Sequence, residues 1–111
     1  MLSISGLLAA NQNKYGVADV RKITFSSSMP VGNAVLPQGD YEVRHVMEAD
    51  NHIMVFKQLG THKPAEARVA CKLVPLKAKA ERDQLICVIN AANEKVLQSL
   101  RFSGDLAEHV F

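Results

Sequence analysis

Four histidines and two cysteines are the residues of this chain whose side chains are best suited to chemistry. The histidines are His45, His52, His62 and His109, at separations of 7, 10 and 47 residues. Zinc ligands commonly include short-spaced pairs such as HxH or HxxxH, and these separations contain no such pair. The sequence therefore predicts no metal site and no cofactor.

The cysteines, Cys71 and Cys87, lie in the alternating segments "EARVACKLVPL" and "DQLICVINA". If these segments pair antiparallel around "KAKAERD", the two cysteines lie opposite each other and would form a disulfide in an oxidising compartment. Closing a loop of about 15 residues would stabilise the fold by roughly 3 kcal/mol in the chain-entropy model. The alternative is a pair of buried free thiols that act as small apolar side chains.

Catalytic motifs are not found in the sequence. No segment resembles a nucleophile elbow, a phosphate-binding loop or a zincin helix. The acidic residues are scattered, and most fall on outward positions of the alternating segments. The chain is therefore predicted not to be an enzyme.

Length and composition restrict the class of molecule. A chain of 111 residues with 48% hydrophobic and 22% charged residues is typical of one globular domain. The net charge of +2 and the aromatic content of 5% give no indication of nucleic-acid binding. No apolar run approaches the ~20 residues that a membrane-spanning helix needs.

The N-terminus differs in composition from the rest of the chain. The stretch "MLSISGLLAANQN" carries no charged side chain and resembles the end of a secretory signal peptide, although it lacks a basic start. We expect residues 1–14 to be a signal-peptide remnant and residues 15–111 to be a single β domain. The expected location is secreted or periplasmic, with a cytoplasmic protein as the alternative.

Hydrophobic residues alternate along the chain with a period of two, which predicts β-strands. Strands are expected around "VRKITFS", at residues 66–75 and 84–91, and at "KVLQSLRFSG". The segment "LKAKAERD" is expected to form a short helical turn, and "DLAEHVF" a last strand or a helical turn. Six to eight short strands with regularly spaced turns predict a small all-β antiparallel barrel or sandwich.

Residues 35–58, "VLPQGDYEVRHVMEADNHIMVFKQ", predict a β-hairpin most clearly. With Asp50 and Asn51 as a turn of positive φ, the expected pairs are Ala49–His52, Met47–Met54 and His45–Phe56. The core face would then carry Tyr41, Val43, His45, Met47, Met54 and Phe56. His45 is thus predicted to lie inward as a structural histidine with local hydrogen bonds.

The stretch "VGNAVLPQGDYEVRH" resembles a motif of small exported bacterial all-β domains of unassigned function, with the pattern VG followed by LPxGxYxV. The matching residues are Val31, Gly32, Leu36, Pro37, Gly39, Tyr41 and Val43. The resemblance implies an all-β fold and export, and it implies no catalytic residue. In this motif Pro37 and Gly39 are expected to shape the entry to a strand.

The function predicted from these features is that of a non-catalytic interaction or structural module. Such a module would bind a protein partner or a second copy of itself through a sheet edge or an exposed apolar patch. The alternative is a carrier of a small apolar ligand. Its expected binding residues are Tyr41, His45, Met47, Met54 and Phe56.

Overall fold

The structure is a computed structural model that describes residues 20–111, and this range contains nine β-strands and no helix. The strands are β1 (Val20–Phe25), β2 (Met29–Val31), β3 (Ala34–Leu36), β4 (Gly39–Glu48), β5 (Asn51–Gln58), β6 (Glu66–Pro75), β7 (Gln84–Ile89), β8 (Lys95–Arg101) and β9 (Ala107–Val110). Within these residues no helix could therefore span a membrane. The expected N-terminal segment, residues 1–14, lies outside the described range.

Seven strands form one antiparallel sheet in the order β1-β4-β5-β6-β9-β8-β7, and β2 and β3 form a separate hairpin. The prediction of a small all-β antiparallel fold is confirmed. The sheet curls into half a barrel, and in the described range its end strands β1 and β7 each pair with one neighbour. The strand count exceeds the expected six to eight because "SSSMPVGN", whose serines, proline and glycine are typical of a loop, contains β2.

The strand β6 has different partners along its length. Its first part pairs with β5 as far as Cys71, which lies opposite His52. Its second part pairs with β9 from Lys72 onwards, with Leu73 opposite His109. The two halves of the sheet are therefore joined through one strand, and their inner faces meet across it.

The core lies inside the curl and is filled by aromatic and aliphatic side chains. The Phe25 and Tyr41 rings lie 5.3 Å apart, and the Phe25 and Phe56 rings lie 6.4 Å apart. The β2–β3 hairpin covers this interior, because Val31 and Leu36 are buried and β2 packs against β8. Burial of such side chains contributes roughly 1.5–3 kcal/mol each.

The hairpin β4–β5 has the predicted faces but a different register. Its turn is Ala49–Asp50, and Ala49, with φ of 55°, takes the left-handed conformation that was expected at Asp50 and Asn51. The observed pairs include Glu48–Asn51, Met47–His52, His45–Met54 and Val43–Phe56. The predicted pairs are thus wrong by two residues, a slip that leaves every side chain on its expected face. The observed register places Phe56 opposite the apolar Val43 instead of the polar His45.

The motif around Leu36 and Tyr41 is architectural, as expected. β4 begins at Gly39, where φ is 144°, and the Tyr41 side chain points into the core. The Tyr41 hydroxyl donates a 2.6 Å hydrogen bond to the Pro37 carbonyl. The bond connects Pro37, which lies before β4, to Tyr41, the first inward side chain of β4. It also satisfies the hydroxyl of Tyr41, although the residue is buried.

Two expectations about the second half of the chain are wrong. The segments that carry Cys71 and Cys87 do not pair, because β9 and β8 lie between β6 and β7 in the sheet. Cys87 lies opposite Leu97, and both cysteines are free thiols. The segment "LKAKAERD" forms bends, not a helical turn. Its Ala80 amide donates to the Asp105 carbonyl, so backbone bonds to the β8–β9 connection replace helical ones.

An ion pair between the half-buried Arg21 and the buried Asp105 connects the first strand to the far half of the sheet. Arg21 Nη2 lies 2.7 Å from Asp105 Oδ1, and Asp105 is fully buried. The same guanidinium lies over the Phe102 ring at 5.4 Å. Burial raises the pKa of the Asp105 carboxyl, and the charge and hydrogen bond of Arg21 oppose that rise. Removal of Arg21 would leave the buried charge of Asp105 without compensation.

Replacement of Gly32 should test how closely the β2–β3 hairpin packs on the sheet. Gly32 has φ of +56°, and a Cβ there would lie 2.8 Å from Val69 Cγ1. Gly60 has φ of +73° and open space around its Cα, so it provides a matched control. Gly60→Ala should cost about 1 kcal/mol for the left-handed backbone. Gly32→Ala should cost roughly 1–3 kcal/mol more from overpacking, as measured by urea denaturation. Equal losses would show that the hairpin moves freely away from β6.

Candidate functional site

The residues predicted to bind an apolar ligand divide into two groups in the structure. Tyr41, Met54 and Phe56 are at most 1% exposed and belong to the core. His45 and Met47 are half-buried and lie towards the turn end of the same hairpin face. The inward position of His45 is confirmed.

Three histidines and one cysteine meet at this end of the inner face. We call His45, His52, Cys71 and His109 the histidine–cysteine cluster. His45 Nε2 lies 2.9 Å from His52 Nδ1, and the two rings stack with centroids 5.0 Å apart. The His109 ring meets the His45 ring edge-on at 5.3 Å. One donor atom from each of His45, Cys71 and His109 lies within 4.8 Å of the other two.

Strand pairing explains how residues far apart in the sequence come together. His52 lies opposite Cys71 across β5 and β6, and diagonally next to His45 on β4. His109 reaches the cluster from β9, which joins the sheet beside the second half of β6. His52 is half-buried and lies within β5, because the observed turn ends at Asp50.

The spacing of the histidines could not reveal this cluster, because the ligand pairs HxH and HxxxH occur within one element. The signal that was available is the alternation of "EARVACKLVPL", which places Cys71 on one face with Val69 and Leu73. Alternation does not give the order of the strands, and this order brings Cys71 next to His109. His62 is exposed in a loop and takes no part in the cluster.

Burial keeps the inner members of the cluster uncharged at neutral pH. Burial, together with the charges of His45, His52 and Arg21, lowers the pKa of His109 to about 4. It also raises the pKa of the Cys71 thiol to about 11. A thiol with so high a pKa forms little thiolate at neutral pH and is a poor nucleophile. The cluster as described is therefore suited to binding and not to nucleophilic catalysis.

An open cleft of about 590 Å³ borders the cluster on its solvent side. His52 and Cys71 line it together with Phe111, the last residue of the chain. The cleft gives small solutes access to two members of the cluster, although Cys71 itself is only 7% exposed.

The other conspicuous feature is the edge strand β7. It pairs only with β8 among the described residues, and Leu85, Val88 and Ile89 on it are 37%, 41% and 64% exposed. Cys87 is half-buried against the core. Large exposed apolar side chains concentrated on one unpaired edge are unusual in a stable monomer.

Comparison with models of known protein families, with curated protein sequences and with solved structures finds no match to this chain. The resemblance to exported bacterial β-domains therefore stays a prediction.

The acid stability of the metal-free protein should depend on His109. Its pKa is about 4 in the folded chain and 6.5 as the ordinary value, so the unfolded chain binds its proton first as the pH falls. The resulting stabilisation is complete above pH 6.5 and is lost as the pH falls to about 4, and it amounts to roughly 2–3 kcal/mol.

Urea denaturation in a chelating buffer at pH 7 and at pH 4 measures this contribution. His109→Gln should show a smaller fall in the free energy of unfolding than the wild type. His62→Gln, which changes an exposed histidine, should show the wild-type fall. An NMR titration of the wild type in which the His109 ring protonates near pH 6.5 would contradict the prediction.

Proposed function

We propose that the chain is a non-catalytic interaction module that associates through the edge of β7 that has no strand partner among residues 20–111, with a second copy of the same strand as its partner. The observation that supports this proposal is the composition of the edge. β7 has the sequence QLICVI, which contains no charge and no proline, and its last residue, Ile89, is 64% exposed. An apolar edge without such protection is a template for a further strand.

The opposite edge of the sheet provides a contrast. β1 carries Arg21 and Lys22 within six residues, and Lys22 is exposed. Charged side chains, lysine above all, are a common means by which edge strands prevent pairing. The sheet thus has one edge with this protection and one without it.

A second copy of β7 suits the edge because two uncharged strands can lie antiparallel without opposing like charges. A shift of register between Ile86 and Cys87 interrupts the ladder to β8. We therefore expect the contact to centre on Val88 and Ile89, the most exposed end. A contact this short buries less than the standard interface of about 1,600 Å², so a dissociation constant on the order of micromolar or weaker is expected.

The carrier hypothesis has less support. Tyr41, Met54 and Phe56 pack into the core beside Phe25, so the side chains expected to border a ligand instead contact one another. The half-buried His45 and Met47 lie near polar partners, since Met47 pairs with His52. Export of the protein stays a prediction.

Sedimentation of the full chain over a range of concentrations tests the edge contact. The wild type should shift from monomer to dimer, and Ile89→Lys should stay monomeric, because a lysine on the edge blocks strand pairing. Val35→Lys is the matched control, since Val35 is 67% exposed but lies on β3, away from this edge.

Two results would contradict the proposal: a wild type that stays monomeric at millimolar concentration, or an Ile89→Lys variant that dimerises like the wild type. Dimerisation abolished by Val35→Lys instead would assign the contact to the β2–β3 hairpin.

A further inference from the structure

We propose that His45, Cys71 and His109 form a binding site for a zinc ion, and that His52 orients His45 within it. The site lies at the partner change of β6 and uses no residue of β7, so it is independent of the edge contact. Imidazole and thiolate are both ligands that Zn²⁺ takes in proteins, and three protein ligands leave a fourth position for water or another ligand.

The separation of the donor atoms fits this ion. Tetrahedral zinc with bonds of about 2.0–2.3 Å holds its ligand atoms roughly 3.5 Å apart. The three donor atoms of His45, Cys71 and His109 already lie within 4.8 Å of one another. Side-chain rotations that move the donor atoms by roughly 1 Å would bring them to the separation that zinc requires.

The unsatisfied nitrogen of His109 independently points to a ligand. Its side chain is 1% exposed, and its Nδ1 has no hydrogen-bond partner within residues 20–111. Buried polar atoms are nearly always satisfied, and an unsatisfied one costs about 1–3 kcal/mol. If residue 109 only had to fill the core, leucine would do so without leaving a buried nitrogen unsatisfied.

The surroundings provide support for the ligands and a path for the ion. A histidine ligand usually holds a second hydrogen-bonding group with its other nitrogen, and His52 Nδ1 lies 2.9 Å from His45 Nε2. The charge of Arg21 acts on His109, and this charge is paired with Asp105. The cleft lined by His52 and Cys71 connects the site to solvent.

Binding is a simple exchange of a proton for an ion. The Cys71 thiol loses its proton to solvent, and its sulfur forms a bond to the metal as a thiolate. The two histidines bind as neutral imidazoles, so no oxidant or reductant is needed.

Titration of the reduced full chain with Co²⁺ and then Zn²⁺ tests the site. The wild type should bind one ion, with a thiolate-to-cobalt charge-transfer band that zinc removes. Cys71→Ser should lose the band and bind Zn²⁺ more than about 100-fold more weakly, because loss of an outer partner alone costs about 10–100-fold. His52→Ala should fall within that smaller range and keep the band.

Cys87→Ser and His62→Gln are the matched controls, since they remove a thiol and an imidazole outside the cluster. Both should bind zinc like the wild type. X-ray absorption of the wild-type zinc complex gives a test that needs no variant, with one sulfur at about 2.3 Å and nitrogens at about 2.0 Å expected. No binding by the wild type, a band that survives Cys71→Ser, or a shell without sulfur would overturn the proposal.

Discussion

The partner change of β6 is the constraint on which the rest of the structure depends. β6 pairs with β5 up to Cys71 and with β9 from Lys72, so it joins the two halves of the described sheet. The twist of the strands curls these halves towards each other, and the curl encloses the core. Every residue of the histidine–cysteine cluster lies on a strand at this change or directly beside it.

The Arg21–Asp105 pair holds the curl across its open side. β1 and the β8–β9 connection are far apart in strand order, yet the ion pair brings them to 2.7 Å. Asp105 is fully buried but Arg21 is only half-buried, and the desolvation of the carboxylate offsets much of the attraction, so the pair contributes little net stability. Its effect is geometric, because the hydrogen bond from Arg21 to Asp105 and the contact of Arg21 with the Phe102 ring position β1 against the β8–β9 connection.

Local pattern predicted the strands and their faces well, because alternation is a property of each strand alone. Ile23 and Phe25 point inward, as do Tyr41 and Val43, as their spacing indicates. The register of β4–β5 was wrong because Ala49 occupies the left-handed position, which propensity assigns to Asp50 or Asn51. Cys71 lies near His109 because β9 pairs with β6. This pairing is between residues far apart in the sequence, and no local pattern predicts it. The same pairing separates Cys71 from Cys87.

The histidine–cysteine cluster and the apolar edge lie in different parts of the half-barrel. β7 is the last strand of the described sheet, whereas the cluster lies near its middle, on β4, β5, β6 and β9. Pairing of β1 with β7 would close the described sheet, but the charged side chains of β1 do not match the apolar surface of β7. Solvent reaches the cluster by a separate route, the cleft that His52 and Cys71 line. Because no residue of β7 lines this cleft, an ion can reach the cluster whether or not a second copy of β7 covers the edge.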